Sequence, residues 1–202
     1  MARPREFDPE VAMDKAMGLF WDVGYEEASL AELLTTMGIT KGSFYKAFRD
    51  KHSVYLAALD RYNEKVIGST VLFLADASQG PGRKRILDLF NVVAERAQRD
   101  GDRLGCFLCN ALVDKAAEGG EAERKLQTMV KRLETAFFKA LSEEPGSNGT
   151  IARETARGVL SAYFGLHVLG RAGLSPEMAE DCIRQVAWLL DKQESRHAER
   201  LV

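Results

Sequence analysis

Cysteine, proline and long uncharged stretches are all scarce in this 202-residue sequence, and each shortage removes a class of protein. Cys106, Cys109 and Cys182 are too few for a disulfide framework in a chain of this size. Cys106 and Cys109 lie three apart, but no second pair completes a zinc site, so no metal is expected. His52, His167 and His197 are scattered without metal-type spacing, and there is no glycine-rich phosphate loop. No cofactor and no enzymatic activity are therefore expected. The longest run without Asp, Glu, Lys or Arg is Gly158–Gly170, short of the ~20 residues a membrane helix needs. The N-terminus lacks the apolar core of a signal peptide, so no membrane partner is expected and the compartment read from the sequence is the cytoplasm. With five prolines and no alternating valine–threonine runs, an all-α fold is favoured. A 46% hydrophobic content beside 29% charged residues describes a globular chain with ample core.

What is present is concentrated first in Ser29–Lys51. Ser29 and Glu32 have capping-box spacing, and Leu30, Leu33, Leu34 and Met37 follow on one helical face. Gly38 suits a left-handed helix end, Ile39 fills the corner, and Thr40 caps a second short helix that opens Lys41-Gly42-Ser43. Phe44 and Phe48, four apart, face the interior and leave Lys41, Tyr45, Lys46 and Arg49 pointing away. Net charge is −2 overall, yet Ile39–His52 carries four cations against Asp50, a local +3. A focused basic patch on an acidic body still engages phosphate. The pattern is a helix-turn-helix whose second helix suits the DNA major groove.

These residues resemble the DNA-binding domain of the TetR (tetracycline-repressor-like) family. The matching features are Ser29 as cap, Gly38-Ile39-Thr40 as turn, Lys41-Gly42-Ser43-Phe44-Tyr45 opening the recognition helix, Phe48 closing it and Lys51 at the next helix start. Leu34 departs from the alanine usual at the contact between the two helices. The resemblance implies an N-terminal three-helix domain over 1–52, followed by a larger helical ligand-binding and dimerisation domain over 53–202. It implies a DNA-binding transcriptional regulator, a repressor released from a pseudo-palindromic operator by a small-molecule inducer or by thiol modification. Lys41, Gly42 and Lys46 are expected at bases, and Ser43, Tyr45, Lys51 and His52 at phosphates. The alternative is a helical protein-interaction module whose helix-turn-helix no longer binds DNA.

Around this stretch, Asp8-Pro9-Glu10 starts a supporting helix, and Arg3-Pro4-Arg5 forms a basic arm ahead of it. A linking helix is expected from Lys51 to about Ala75, broken by the Asp76–Gly82 segment. Helical stripes follow over Ile86–Ala97, Leu104 to about Ala117 and Leu126–Leu141. The last two helices, near Ile151–Arg171 and Pro176–Gln193, are the most apolar, and in the resembled family such helices pair two subunits. Phe90, Cys106, Phe107, Phe137, Tyr163 and His167 are candidate ligand-lining residues. The Gly105-Cys106-Phe107-Leu108 run also resembles a subgroup of the family, some members of which sense electrophiles through cysteine. Packing and sensing both remain open for Cys106 and Cys109.

Overall fold

The computed structural model describes residues 8–99, 103–114, 119–143 and 147–199, with side chains placed through residue 191. Among them there is no strand. The arm Arg3-Pro4-Arg5 lies outside the described residues. The chain forms two compact units, Met1–Val66 with Phe107–Met129, and Ile67–Cys106 with Val130–Val202. None of the described helices is long and apolar enough to cross a membrane.

The first unit contains α1 (Pro9–Glu27), α2 (Leu30–Met37), α3 (Lys41–Ala47), α4 (Lys51–Tyr62) and α7 (Phe107–Leu112). Each start is set locally. The Asp8 carboxylate accepts from the backbone N–H groups of Glu10 and Val11, and Ser29 and Glu32 close a reciprocal capping box. Asp50 does the same with Ser53 at the head of α4. Such caps satisfy amides that have no helical partner, each stabilising by about 1 kcal/mol. Gly38 adopts φ 71° and donates to the carbonyls of Leu34 and Thr35, ending α2. Ala16, Phe20, Leu33, Phe44, Val54, Tyr55, Ala58 and Leu59 are fully buried and form the core of this unit. Across α1 and α4, Arg61 forks onto Asp14 and reaches Glu10, while Lys65 lies 2.8 Å from Asp14. The Arg61 hydrogen bond, with Lys65 beside it, holds the Asp14 carboxyl well below the usual carboxylate range.

The expected single helix from Lys51 to Ala75 is interrupted by a π-helical turn, Asn63–Ile67, before α5 (Gly68–Ala75). The passage from the first unit to the second falls in that turn.

The second unit packs α5, α6 (Gly82–Gln98), α9 (Gly149–Ala172) and α10 (Pro176–Glu199) with the latter part of α8 (Gly120–Ser142). Ile86, Phe90, Leu133, Phe137, Val159 and Leu166 are buried to 1% exposure or less. Two helix pairs come close enough to require glycine. A Cβ on Gly170 would lie 2.8 Å from the Ala97 methyl, and one on Gly82 would lie 1.9 Å from the Ala140 carbonyl oxygen. Arg85, fully buried one turn beyond Gly82, is neutralised by Glu143.

The Gly82 contact is with backbone, which has no rotamer to yield. Gly82→Ala is expected to lower unfolding stability by ~1–3 kcal/mol through overpacking, despite alanine's better helix propensity. Chemical denaturation of the purified chain measures it; unchanged stability would mean the α6–α8 approach is looser than described.

Candidate functional site: a nucleic-acid interface

The recognition helix is built so that one side anchors it and the other stays open. Thr40 caps α3 by accepting from Ser43 N–H at 3.1 Å, and its hydroxyl donates to Ser43 Oγ at 3.0 Å. Phe44 is fully buried, with its ring 5.6 Å from Phe48 and 5.3 Å from Tyr45. That anchor fixes the helix rotation. Lys41, Gly42, Tyr45 and Lys46 are left exposed, with Tyr45 52% accessible, and Ser43 is half-buried. A Cβ on Gly42 would meet only Thr40 Oγ1, at 3.9 Å, so the fold itself has room for a side chain there. Leu34, half-buried, leaves the turn intact, its carbonyl accepting from Gly38 and Ile39.

The two remaining DNA candidates are placed differently. Lys51 Nζ donates to the carbonyls of Tyr25, at 2.8 Å, and Ala28, at 2.9 Å, and sits 4.3 Å from the centre of the Tyr25 ring. Its ammonium is engaged at the carbonyl end of α1, where a helix dipole favours a cation. His52 is half-buried and edge-on to Tyr25, ring centres 5.9 Å apart. Arg49 remains 86% exposed beside Asp50, at 3.1 Å. Asp50 is held below its usual pKa, chiefly by the Ser53 backbone N–H and then by the Ser53 hydroxyl. Sequence reading missed Tyr25 as the seat for Lys51. It also missed Asn110 and Asp114, whose side chains bond the Trp21 carbonyl at 3.1 Å and the Tyr25 N–H at 2.8 Å. No local pattern signals such contacts.

Of the candidate ligand-lining residues, four converge in the second unit. The Tyr163 ring lies 5.8 Å from Phe90, 5.7 Å from Phe137 and 4.6 Å from His167. His167 Nε2 is buried with no hydrogen-bond partner. Burial, helped by the charge of Arg96, pushes the imidazole down to about 4, so the ring is neutral at physiological pH. Phe107 does not join this cluster; it packs in the first unit against Trp21, Tyr55 and Tyr62. Cys106 is a buried thiol, 2% exposed. The Arg103 guanidinium lies close to Gly173, where a Cβ would meet its Nη1 at 2.9 Å.

The depressed His167 value has a defined sign. An unfolded imidazole titrates near ~6.5 and the folded one at about 4, so on acidification the unfolded chain takes up the proton first. Stability is lost as pH falls through that window, by up to ~3 kcal/mol from this group. A His167→Phe variant should show a correspondingly flatter pH dependence of unfolding between pH ~6.5 and ~4. Parallel curves for variant and wild type would mean that the imidazole titrates normally.

Comparison with known proteins agrees with this geometry. The sequence model for bacterial regulatory proteins of the tetR family matches residues 12–58. The uncharacterized HTH-type transcriptional regulator YezE of Bacillus subtilis is 28% identical over 167 residues, 81% of this chain and 84% of YezE. The HTH-type transcriptional repressor ComR of Escherichia coli is 31% identical over 128 residues; this match covers 62% of the chain but only 60% of ComR. Among solved structures, a cysteine variant of the TetR family transcriptional regulator CifR, complexed with 26-bp double-stranded operator DNA, superposes with a TM-score of 0.73. It is 25% identical, over 94% of this chain and 98% of that one. A three-helix reader with a buried Phe44 anchor and an exposed cationic edge, matched over residues 12–58, places that part of the protein: it is a DNA-binding domain of the tetR family of bacterial regulatory proteins, in a helix-turn-helix transcriptional regulator.

Proposed function

We propose that this regulator is a repressor that acts in the cytoplasm as a homodimer on a pseudo-palindromic operator and is released by a small-molecule inducer. The observation that carries the reading is the division of α3, where Phe44 is buried and Lys41, Gly42, Tyr45 and Lys46 are turned to solvent. Lys41 and Lys46 face bases, and Ser43, Tyr45 and His52 face phosphates. Gly42 gives clearance to the groove floor. Lys51 takes a positioning role, since two of its three N–H donors are used by Tyr25 and Ala28.

The inducer site is assigned to the rings of Phe90, Phe137 and Tyr163 with His167, where an unpartnered neutral nitrogen offers one hydrogen bond in apolar surroundings. Thiol modification is the weaker trigger, because Cys106 is nearly inaccessible. The subunit contact is assigned to α9 and α10. Between them runs an open apolar groove of about 410 Å³ lined by Gly165, Leu166, Leu169, Met178, Cys182 and Leu189, among others. Val168 and Trp188 are also exposed on these helices, at 57% and 58%. Leu190, by contrast, is buried within the protomer.

The reading is tested first on an operator selected by wild-type protein from random DNA. Lys41→Ala should cost ~1–3 kcal/mol on that site and relax preference at one base pair. Tyr45→Phe should weaken all sequences alike, and Gly42→Leu should fold normally yet lose the operator. Wild-type affinity in all three would remove α3 as the reader.

The dimer is tested by Leu169→Glu and Met178→Glu, at positions 39% and 48% exposed in the protomer. Light scattering should find folded monomers, because pairing would bury an unpaired charge. Binding to a two-half-site operator should collapse with it. A dimer of unchanged affinity would place the interface on another face.

A further inference from the structure

α1 contains a break at which side chains of α7 and of the turn after it form hydrogen bonds. Gly24 has φ 82° and ψ 176°, outside helical values, although the helix resumes beyond it. In an unbroken helix the Tyr25 N–H donates to the Trp21 carbonyl. Here that N–H donates to Asp114 Oδ2 at 2.8 Å, and the Trp21 carbonyl accepts from Asn110 Nδ2 at 3.1 Å. The backbone bond between these two groups is thus replaced by two side-chain bonds, to a donor and an acceptor four residues apart on the incoming segment. Side chains inserted into the ladder are a recognised cause of helix kinks.

We infer that Asn110 and Asp114 form a releasable clasp that selects between a kinked and a straight α1, and that only the kinked form holds the recognition helix in its DNA-reading position. The second half of this statement rests on the repressor reading above; the first does not. Tyr25, immediately after the kink, offers both its carbonyl and its ring face to Lys51, the first residue of α4. Only Phe48, Arg49 and Asp50 separate α4 from α3. When the clasp opens, the Trp21–Tyr25 bond re-forms, Gly24 moves to helical angles and the Tyr25 carbonyl turns along the helix axis, away from Lys51. The clasp is well placed to be driven, because Phe107, the first residue of α7, directly follows Cys106, the last residue of the second unit's first segment.

The distinguishing experiment is a stability cycle on the full-length chain. Wild type, Gly24→Ala, Asn110→Ala/Asp114→Ala and the triple variant are melted, and their affinity for the wild-type-selected operator is measured. A Cβ at residue 24 would lie 3.4 Å from Asp114 Oδ2, so its main cost is the positive φ. In the clasped protein, Gly24→Ala should lower Tm by about 2–6 °C. In the open-clasp background the same substitution should leave Tm unchanged or raise it, since the straight helix prefers alanine. The triple variant should then be a stable dimer whose operator affinity is down at least ~10-fold, corresponding to ~1.4 kcal/mol. Equal Tm losses from Gly24→Ala in both backgrounds would overturn the clasp, and a stable triple variant with wild-type affinity would overturn its role in DNA binding. The melts need no DNA, so a wild type that selects no sequence would fail the repressor reading while the clasp still stands or falls by the cycle.

Discussion

The ammonium of Lys51 is the point at which the DNA-reading unit is fastened. It opens α4, yet it reaches back to two carbonyls at the end of α1 and lies over the Tyr25 ring. Charge-assisted bonds to partly buried carbonyls are stronger than neutral ones. They also place a cation where the α1 dipole leaves partial negative charge. Removing the ammonium would leave those carbonyls to find other donors and free the start of α4 from the turn between α1 and α2. The orientation of α3 depends on this, because α3 is held from behind by Phe44 and from its C-terminal side by the short connection to α4. Base-reading residues need fixed backbone more than they need many contacts, and Lys51 supplies part of that fixity.

The same constraint explains what could and could not be read from the sequence. The capping box of Ser29 with Glu32, the left-handed turn at Gly38 and the buried Phe44 were legible, since each depends on residues within four positions of one another. Lys51 was legible as a cation at a helix start but read as a phosphate contact. Its acceptors, the carbonyls of Tyr25 and Ala28, are backbone groups and have no sequence signature. Asp114 stands 89 residues from Tyr25, and its role exists only because the α1 ladder is broken at Gly24. A glycine there reads as a helix end, and the resumption of the helix beyond it depends on the clasp.

The second unit shows a related division. Helical periodicity located α6, α8, α9 and α10, and the aromatic residues at their inward positions do meet, with Tyr163 touching Phe90, Phe137 and His167. Phe107, a candidate for the same lining, does not meet them. The chain passes from one unit to the other between Cys106 and Phe107, and the ring joins Trp21, Tyr55 and Tyr62. Periodicity identifies which residues are interior but not which interior they enter. The π-helical turn at Asn63–Ile67 was equally hidden, since the apolar spacing around it is compatible with a continuous α-helix.

A switch in a DNA-binding unit needs two states close in free energy, because an inducer shifts an equilibrium only by its differential affinity. Moving a population from 1:99 to 99:1 takes ~5.5 kcal/mol. The kink at Gly24 is suited to that scale. Straightening α1 exchanges two side-chain hydrogen bonds, one to a carboxylate, for the helical bond between Trp21 and Tyr25, and a charge-assisted bond contributes ~1.5–3 kcal/mol net. Glycine tolerates both the φ of 82° and helical angles, so neither state carries steric strain at that position. The cost of opening is then a few kcal/mol, concentrated in two side chains, Asn110 on α7 and Asp114 just beyond its end. Ligand-induced repacking that moves α7 by little more than a hydrogen-bond length would break both bonds together, since donor and acceptor are carried on the same short segment. Coupling them in this way makes the response abrupt.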